Sequence, residues 1–181
     1  AEVTPHHLLL TDELARSYDP IYKVNPPLRT ERDVEALREG LADGTIDIVA
    51  TDHAPHPAEN KTCAWGEAAF GMLGLETAAS VVYTVMVKSG LMNLKRFQEV
   101  MSVAPAAISG IAGQGQELVE GANANIVLFN LSGYVTYGDR LYYLGVVTPH
   151  LTLASGLLFF AHKFWPIPDW SMVAVLVTLA F

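Results

Sequence analysis

"IDIVATDHAPHPAENKTCAWGEAAFG", residues 46–71, decides how the chain is read. Ile46, Ile48, Val49 and Ala50 make an apolar run too short for a buried helix and rich in β-branched residues, the pattern of a central strand covered on both faces. Where that run ends, the chain places Asp52, His53 and His56, followed by a polar loop that closes on Phe70 and Gly71. Parallel α/β folds gather their ligands at the carboxyl ends of strands, so the polar cluster falls where chemistry is expected.

Upstream, "TERDVEALREGLADG", residues 30–44, predicts a helix. Thr30 and Asp33 have capping-box spacing, Val34, Leu37 and Leu41 share one face, and Gly44 is placed to stop it. A helix followed closely by a covered strand is the grammar of an α/β fold. "AEVT", residues 1–4, reads as a short strand ended by Pro5, and residues 11–17 read as a short helix capped by Thr11. Downstream, residues 75–90, 93–102 and 104–113 read as three helical segments, and 124–133 as a strand and turn. No internal repeat is visible, and so few strands cannot close a barrel.

Each polar residue admits a chemical and an ordinary reading. Asp52 at a strand end can ligate a metal, act as a general base, or do both; it can equally be a turn or capping residue. His53 points away from it in sequence and reads as packing. His56, beyond a proline, can meet a substrate oxygen or simply be solvated. His6 and His7 are adjacent in "TPHH", poor spacing for one ion, and read as structural or supporting residues. Asn25 in "YKVNPPLR" precedes two prolines that fix the backbone, which suits recognition of a cyclic amide or carbonyl and also suits a rigid turn. Lys23 and Arg29 read as solvated surface. There is no His-x-His pair and no HExxH, and His150 and His162 lie in an apolar tail. One carboxylate cannot hold a catalytic metal that needs three or more protein ligands.

The 181 residues carry a formal charge of -8 and no Lys/Arg cluster, which argues against a nucleic-acid partner. The single cysteine, Cys63, leaves no intramolecular disulfide framework and suits a reducing, cytoplasmic compartment. Nothing at the start resembles a signal peptide, and a chain beginning with Ala1 reads as a fragment. The charge is uneven. Residues 1–60 hold 12 of the 19 acidic side chains, whereas Lys163 and Asp169 are the only charges in 141–181. Residues 141–161 form an uncharged run long enough to span a bilayer, but Thr148, Pro149, His150, Thr152 and Ser155 dilute it, and membrane association of the 141–181 tail is not favoured. "GQGQ", residues 113–116, lacks the Lys and the preceding strand of a phosphate-binding loop.

Taken together, "AEVTPHHLLLTDE", "YKVNPPLRTERDVEALREGLADGTIDIVATDHAPH" and "GEAAFGMLGLETA" resemble the carboxyl-terminal portion of a bacterial class I dihydroorotase of the amidohydrolase superfamily, continuously over residues 1–113 and more weakly through "GANANIVLFNL". The resemblance implies an α/β fold, part of a (β/α)8 TIM barrel of the metal-dependent hydrolase type with a fragment of a small β domain. Residues 1–113 would supply the last three strands and their helices, 114–133 the start of the small-domain return, and 134–181 a divergent hydrophobic tail. "AEVT" would be like the sixth strand, "YKVN" the region of the seventh and "IDIVATD" the eighth. The resemblance further implies that Asp52 is a zinc ligand and the acid/base residue, and that Asn25, His56, Phe70 and Gly71 contact dihydroorotate. His6, His7 and His53 would stand behind them.

The family's other metal ligands would lie upstream of Ala1. Activity is therefore not expected of this chain alone, and the complete form is expected to be a homo-oligomer. Two other readings remain: an allantoinase- or hydantoinase-like cyclic amidase, and a noncatalytic truncated subunit that stabilises a partner.

Overall fold

The computed structural model describes residues 1–117, 119–130, 135–137, 140–142 and 173–177. They belong to two compact units, Ala1–Phe97 and Gln98–Phe181.

In the first unit, strand β1 (Glu2–Val3) pairs in parallel with β2 (Ile48–Val49), with Glu2 opposite Ile48 and Val3 opposite Val49. This small parallel sheet with helices around it is an α/β fold, the class expected from the sequence. The strand order differs from the expectation. Lys23 to Asn25 form no strand, and the preceding Pro20–Tyr22 is a single 3-10 turn. Because β1 is bonded directly to β2, no seventh strand stands between them, and "AEVT" is the immediate neighbour of "IDIVATD".

Pro5 does not merely end β1; it starts helix α1 (Pro5–Leu9). A proline at the first helical position loses no bond, since its N–H would be unpaired there anyway. The hydroxyl of Thr4 accepts the His7 N–H and completes the cap. Helix α2 (Glu31–Asp43) matches its sequence pattern: the capping box between Thr30 and Asp33 is formed in both directions, and Gly44 ends the helix in the left-handed conformation. Val34 and Leu41 are buried, whereas Leu37 is only partly so. The stretch after Thr11 is a 3-10 turn, Asp12–Ser17, and Thr11 makes no side-chain cap.

α1 packs against α2 and against α3 (Ala78–Val82), and Leu8, Leu41, Val82, Met86 and Phe97 form the centre of this core. Two arginines satisfy its loose ends: Arg38 Nε donates to Leu8 O at 2.9 Å, and Arg96 donates from Nε to Leu41 O at 3.1 Å and from Nη2 to Ile46 O at 2.8 Å. Carbonyls left over at helix ends need such donors. α3 runs on as a π turn, Tyr83–Val87, and helix α4 spans Leu94–Gln98.

In the second unit a π turn, Glu99–Val103, leads into α5 (Ala104–Ser109). Pro105 has no N–H and its ring would crowd the carbonyl four residues back, so the wider turn accommodates it. β3 (Val127–Asn130) pairs antiparallel with β6 (Val173–Val177), with a register break between Leu128 and Asn130. β4 (Val135–Tyr137) pairs antiparallel with β5 (Arg140–Tyr142). The turn expected at 131–133 lies outside the described residues, as does the apolar run 141–161 beyond Tyr142. Among the described residues no helix is long and apolar enough to cross a membrane.

Candidate active site

Asp52 lies just beyond the carboxyl end of β2, exposed, with a left-handed backbone at φ 48°. Few residues other than glycine adopt that conformation, and Asp and Asn do so most readily. The turn throws the chain outward into the loop that runs from His53 to Leu75.

That loop is closed by backbone and histidine bonds. Ala54 N–H donates to Met72 O at 2.9 Å, next to a parallel bridge between His53 and Met72. His53 Nδ1 accepts the N–H groups of Gly74 and Leu75, each at 3.1 Å, so this histidine braces the loop base. His56 Nε2 donates to Phe70 O at 2.8 Å. Gly71 N–H donates to Lys23 O at 3.0 Å. The Phe70 carbonyl keeps a lone pair for a ligand, whereas the Gly71 N–H is already engaged.

Gly71 sits at φ 133°, where a Cβ would stand 2.6 Å from Ala54 Cβ and 3.1 Å from His56 Nε2. At Gly74 a Cβ would come within 2.8 Å of Thr51 O. Only glycine allows the loop to lie this close to the Thr51–His56 segment.

On the other side, Asn25 is exposed and joined to Pro26 by a cis peptide bond. The turn it opens is held by His7, whose Nε2 lies 3.1 Å from Pro26 O and 3.2 Å from Pro27 O. Carbonyls only accept, so Nε2 carries the proton; Nδ1, 2.7 Å from the Thr4 hydroxyl, can then accept from it. His6, whose ring lies against that of His7 at a 45° tilt with centroids 4.6 Å apart, is 7% exposed and has no hydrogen-bond partner for either ring nitrogen. Burial pushes its pKa down to about 4, the neighbouring His7 adds to the drop, and the Asp52 carboxylate opposes it.

Two lysines complete the picture, and neither role was legible in the sequence. Lys23, expected on the surface, is buried: Nζ donates to Trp65 O at 2.7 Å, Gly66 O at 3.3 Å and Ala68 O at 2.6 Å, and lies 4.5 Å from the centroid of the Phe70 ring. Lys61 donates to Pro20 O and Lys23 O at 3.1 Å each and to Ala69 O at 2.9 Å. Burial lowers its pKa, and the Lys23 charge lowers it further.

The structure thus brings His56, Phe70 and Gly71 together beside the segment that carries Asn25, and it couples Asp52 electrostatically to His6. No hydrogen bond joins Asp52 to Asn25 or His56 among the described residues. Nor, among these residues, do three His, Cys, Asp or Glu side chains converge as a metal site requires. Asp52 is an accessible oxygen donor, but alone it does not fit a zinc ion.

The sequence model of the amidohydrolase family matches residues 10–165. The chain is 65% identical over 128 residues to a dihydroorotase of Streptomyces coelicolor, covering 71% of this chain and 30% of that one. With a dihydroorotase of Leifsonia xyli the identity is 53% over 154 residues, 84% of this chain and 35% of the other. The chain therefore spans about a third of the length of these curated relatives. Among solved structures, the L-hydantoinase (dihydropyrimidinase) of Arthrobacter aurescens superimposes with a TM-score of 0.68 at 31% identity, over 81% of this chain and 35% of that one.

Proposed function

The chain belongs to the amidohydrolase family, and from that membership we propose that it is the carboxyl-terminal portion of a bacterial class I dihydroorotase. The complete enzyme would hydrolyse the cyclic amide of (S)-dihydroorotate reversibly to N-carbamoyl-L-aspartate, a cytoplasmic step of pyrimidine biosynthesis. The 65% identity with the Streptomyces dihydroorotase over 128 residues carries this reading. β1 and β2 would be neighbouring strands of a (β/α)8 barrel, and β3 part of a small β domain.

In this reading Asp52 accepts the proton of the attacking water and returns it to the ring nitrogen as the amide C–N bond breaks. A zinc ion held by the complete enzyme would supply an acidified water, with Asp52 as one ligand and the other donors outside the described residues. Asn25 and His56 hold the polar groups of the substrate, and Phe70 and Gly71 present backbone to its ring. His7 and His53 fix the segments that carry them. Residues 1–181 alone would be inactive, and the complete form a homo-oligomer.

A hydantoinase-like reading is favoured by the superposition on the Arthrobacter enzyme. Turnover by the zinc-loaded full-length protein separates the two: kcat/KM for dihydroorotate is expected to exceed that for hydantoin, dihydrouracil and allantoin by at least about 100-fold. The reverse order would replace the first reading with the second.

A further inference from the structure

Lys23 and Lys61 each meet as many carbonyl oxygens as an ammonium has hydrogens. The pattern is reciprocal. Lys23 reaches out of the Pro20–Asn25 segment to Trp65, Gly66 and Ala68 in the loop; Lys61 reaches out of the loop to Pro20 and Lys23, and also to Ala69 just before Phe70. Hydrogen bonds from an ionised donor are stronger than neutral ones, and burying an ammonium is costly unless its hydrogens are all taken. So the loop cannot shift away from the Pro20–Asn25 segment without breaking the charged hydrogen bonds of both lysines.

Both lysines bear on the Phe70–Gly71 step. The Phe70 ring covers Lys23 Nζ, and the Gly71 N–H bonds to the carbonyl of the same lysine that Lys61 holds. Trp65, one of the anchored residues, packs edge-on against Tyr18, with ring centroids 5.8 Å apart. We infer that Lys23 and Lys61 form a clasp of positioning residues, which sets the distance between the Asn25 turn and the Phe70–Gly71 backbone and so fixes the width of the site for a small cyclic ligand. This rests on the proposed role of Asn25, Phe70 and Gly71 in binding dihydroorotate. Neither lysine touches the reacting atoms.

The test uses the zinc-loaded full-length protein and its Lys23→Met and Lys61→Met variants, each of which keeps the side-chain length and loses the donors. Two readouts are taken: steady-state kinetics on dihydroorotate, and amide hydrogen exchange resolved at Ala69, Gly71 and helix α2. The expected result is a KM raised about tenfold or more with kcat within about threefold, together with faster exchange at Ala69 and Gly71 and unchanged exchange in α2. An unchanged KM with a loosened loop would overturn the inference, because the clasp would then be structural only. Equal loss of protection in α2 in both variants would also overturn it. Lys61 is only partly buried, so its variant answers the question even if Lys23→Met fails to fold. Should the wild-type protein not turn over dihydroorotate, the proposed function fails; exchange at Ala69 and Gly71 then decides on the clasp, and unchanged rates there would sink it.

Discussion

Helix α2 and the His53–Leu75 loop are held by opposite kinds of bond. At the start of α2, Thr30 and Asp33 satisfy each other: Asp33 N–H donates to Thr30 Oγ1 at 3.4 Å, and Thr30 donates to Asp33 Oδ2 from its backbone N–H at 3.1 Å and from its hydroxyl at 2.8 Å. Partners stand three residues apart. In the loop, His56 reaches 14 residues to Phe70, His53 reaches 21 to Gly74, and Lys23 reaches 45 to Ala68. A short-range cap is formed as soon as its own turn forms. The long-range bonds exist only once β1, β2 and the segments beyond them have assembled, and each one helps to place the next. Losses in the helix should therefore stay local and small, whereas losses in the loop should spread to whatever the loop presents.

The largest expected effect lies at Asp52, the residue just before the loop. Asp52→Asn in the full-length protein removes a charge and the proton acceptor, and it should lower kcat at least about 100-fold, while circular dichroism and the melting temperature stay close to wild type. Near-normal turnover at full metal occupancy would remove Asp52 from the chemistry. Next comes Gly71→Ala. Its Cβ would collide with Ala54 Cβ, which has no freedom to move aside, at a φ that side chains disfavour. Strain and overpacking together should cost about 2–4 kcal/mol, read as a lowered urea midpoint. A neutral result would mean that the loop is free to slide, and the contrast with α2 would fail.

Asn25→Ala and His56→Ala should each lose about 1–3 kcal/mol of substrate binding in the transition state, seen as a lower kcat/KM with the zinc content unchanged. His56→Ala also removes the bond to Phe70 O, so its effect should be the larger of the two. Loss of metal from either variant would contradict the assignment of both residues to the substrate.

How much of this was legible follows the same division. The capping box and the Gly44 stop are written in neighbouring residues and are found where the pattern put them; the strand before Asp52 forms too, but only over Ile48–Val49 in a two-stranded sheet, with Ile48 half-buried rather than covered on both faces. The α/β class followed from them. The fate of Lys23 did not: nothing within a few residues of it says that three carbonyls some forty residues later will converge on its ammonium. Pro5 misled for the converse reason. A proline that ends a strand and one that opens a helix look alike until the Thr4 hydroxyl is seen accepting the His7 N–H. Asn25 and His56 could be singled out as candidates by type and by resemblance, but their supports, His7 and Lys23, act across the fold.

His6 gives a pH test of the non-local side. Its folded pKa, about 4, lies below the ordinary 6.5, chiefly because of burial. As pH falls from 6.5 the unfolded chain takes up the proton first, so the stability due to neutral His6 is complete above 6.5 and declines towards pH 4. Comparing urea midpoints at pH 7 and pH 5 should show a drop in the wild type that is reduced in His6→Leu. An identical drop in both would assign the acid sensitivity to other groups.

The smallest effect belongs to the helix cap. Thr30→Ala removes the acceptor for the Asp33 N–H and one donor to the Asp33 carboxylate, and the position is solvent-exposed, so the loss should be about 1 kcal/mol. The Asp33 pKa reports the same event independently. The Thr30 hydroxyl and then the Thr30 N–H hold it below 3.8, so the stability it lends is present above 3.8 and disappears as pH falls through the lower folded value. In the variant the hydroxyl is gone and the N–H remains. An NMR titration should find the Asp33 pKa raised part of the way back towards 3.8. If α2 and the loop differ as argued, exchange at Ala69 and Gly71 will not change at all in Thr30→Ala. Faster exchange there would show that the cap and the clasp belong to one cooperative structure, and the distinction between a local and a long-range support would have to be abandoned.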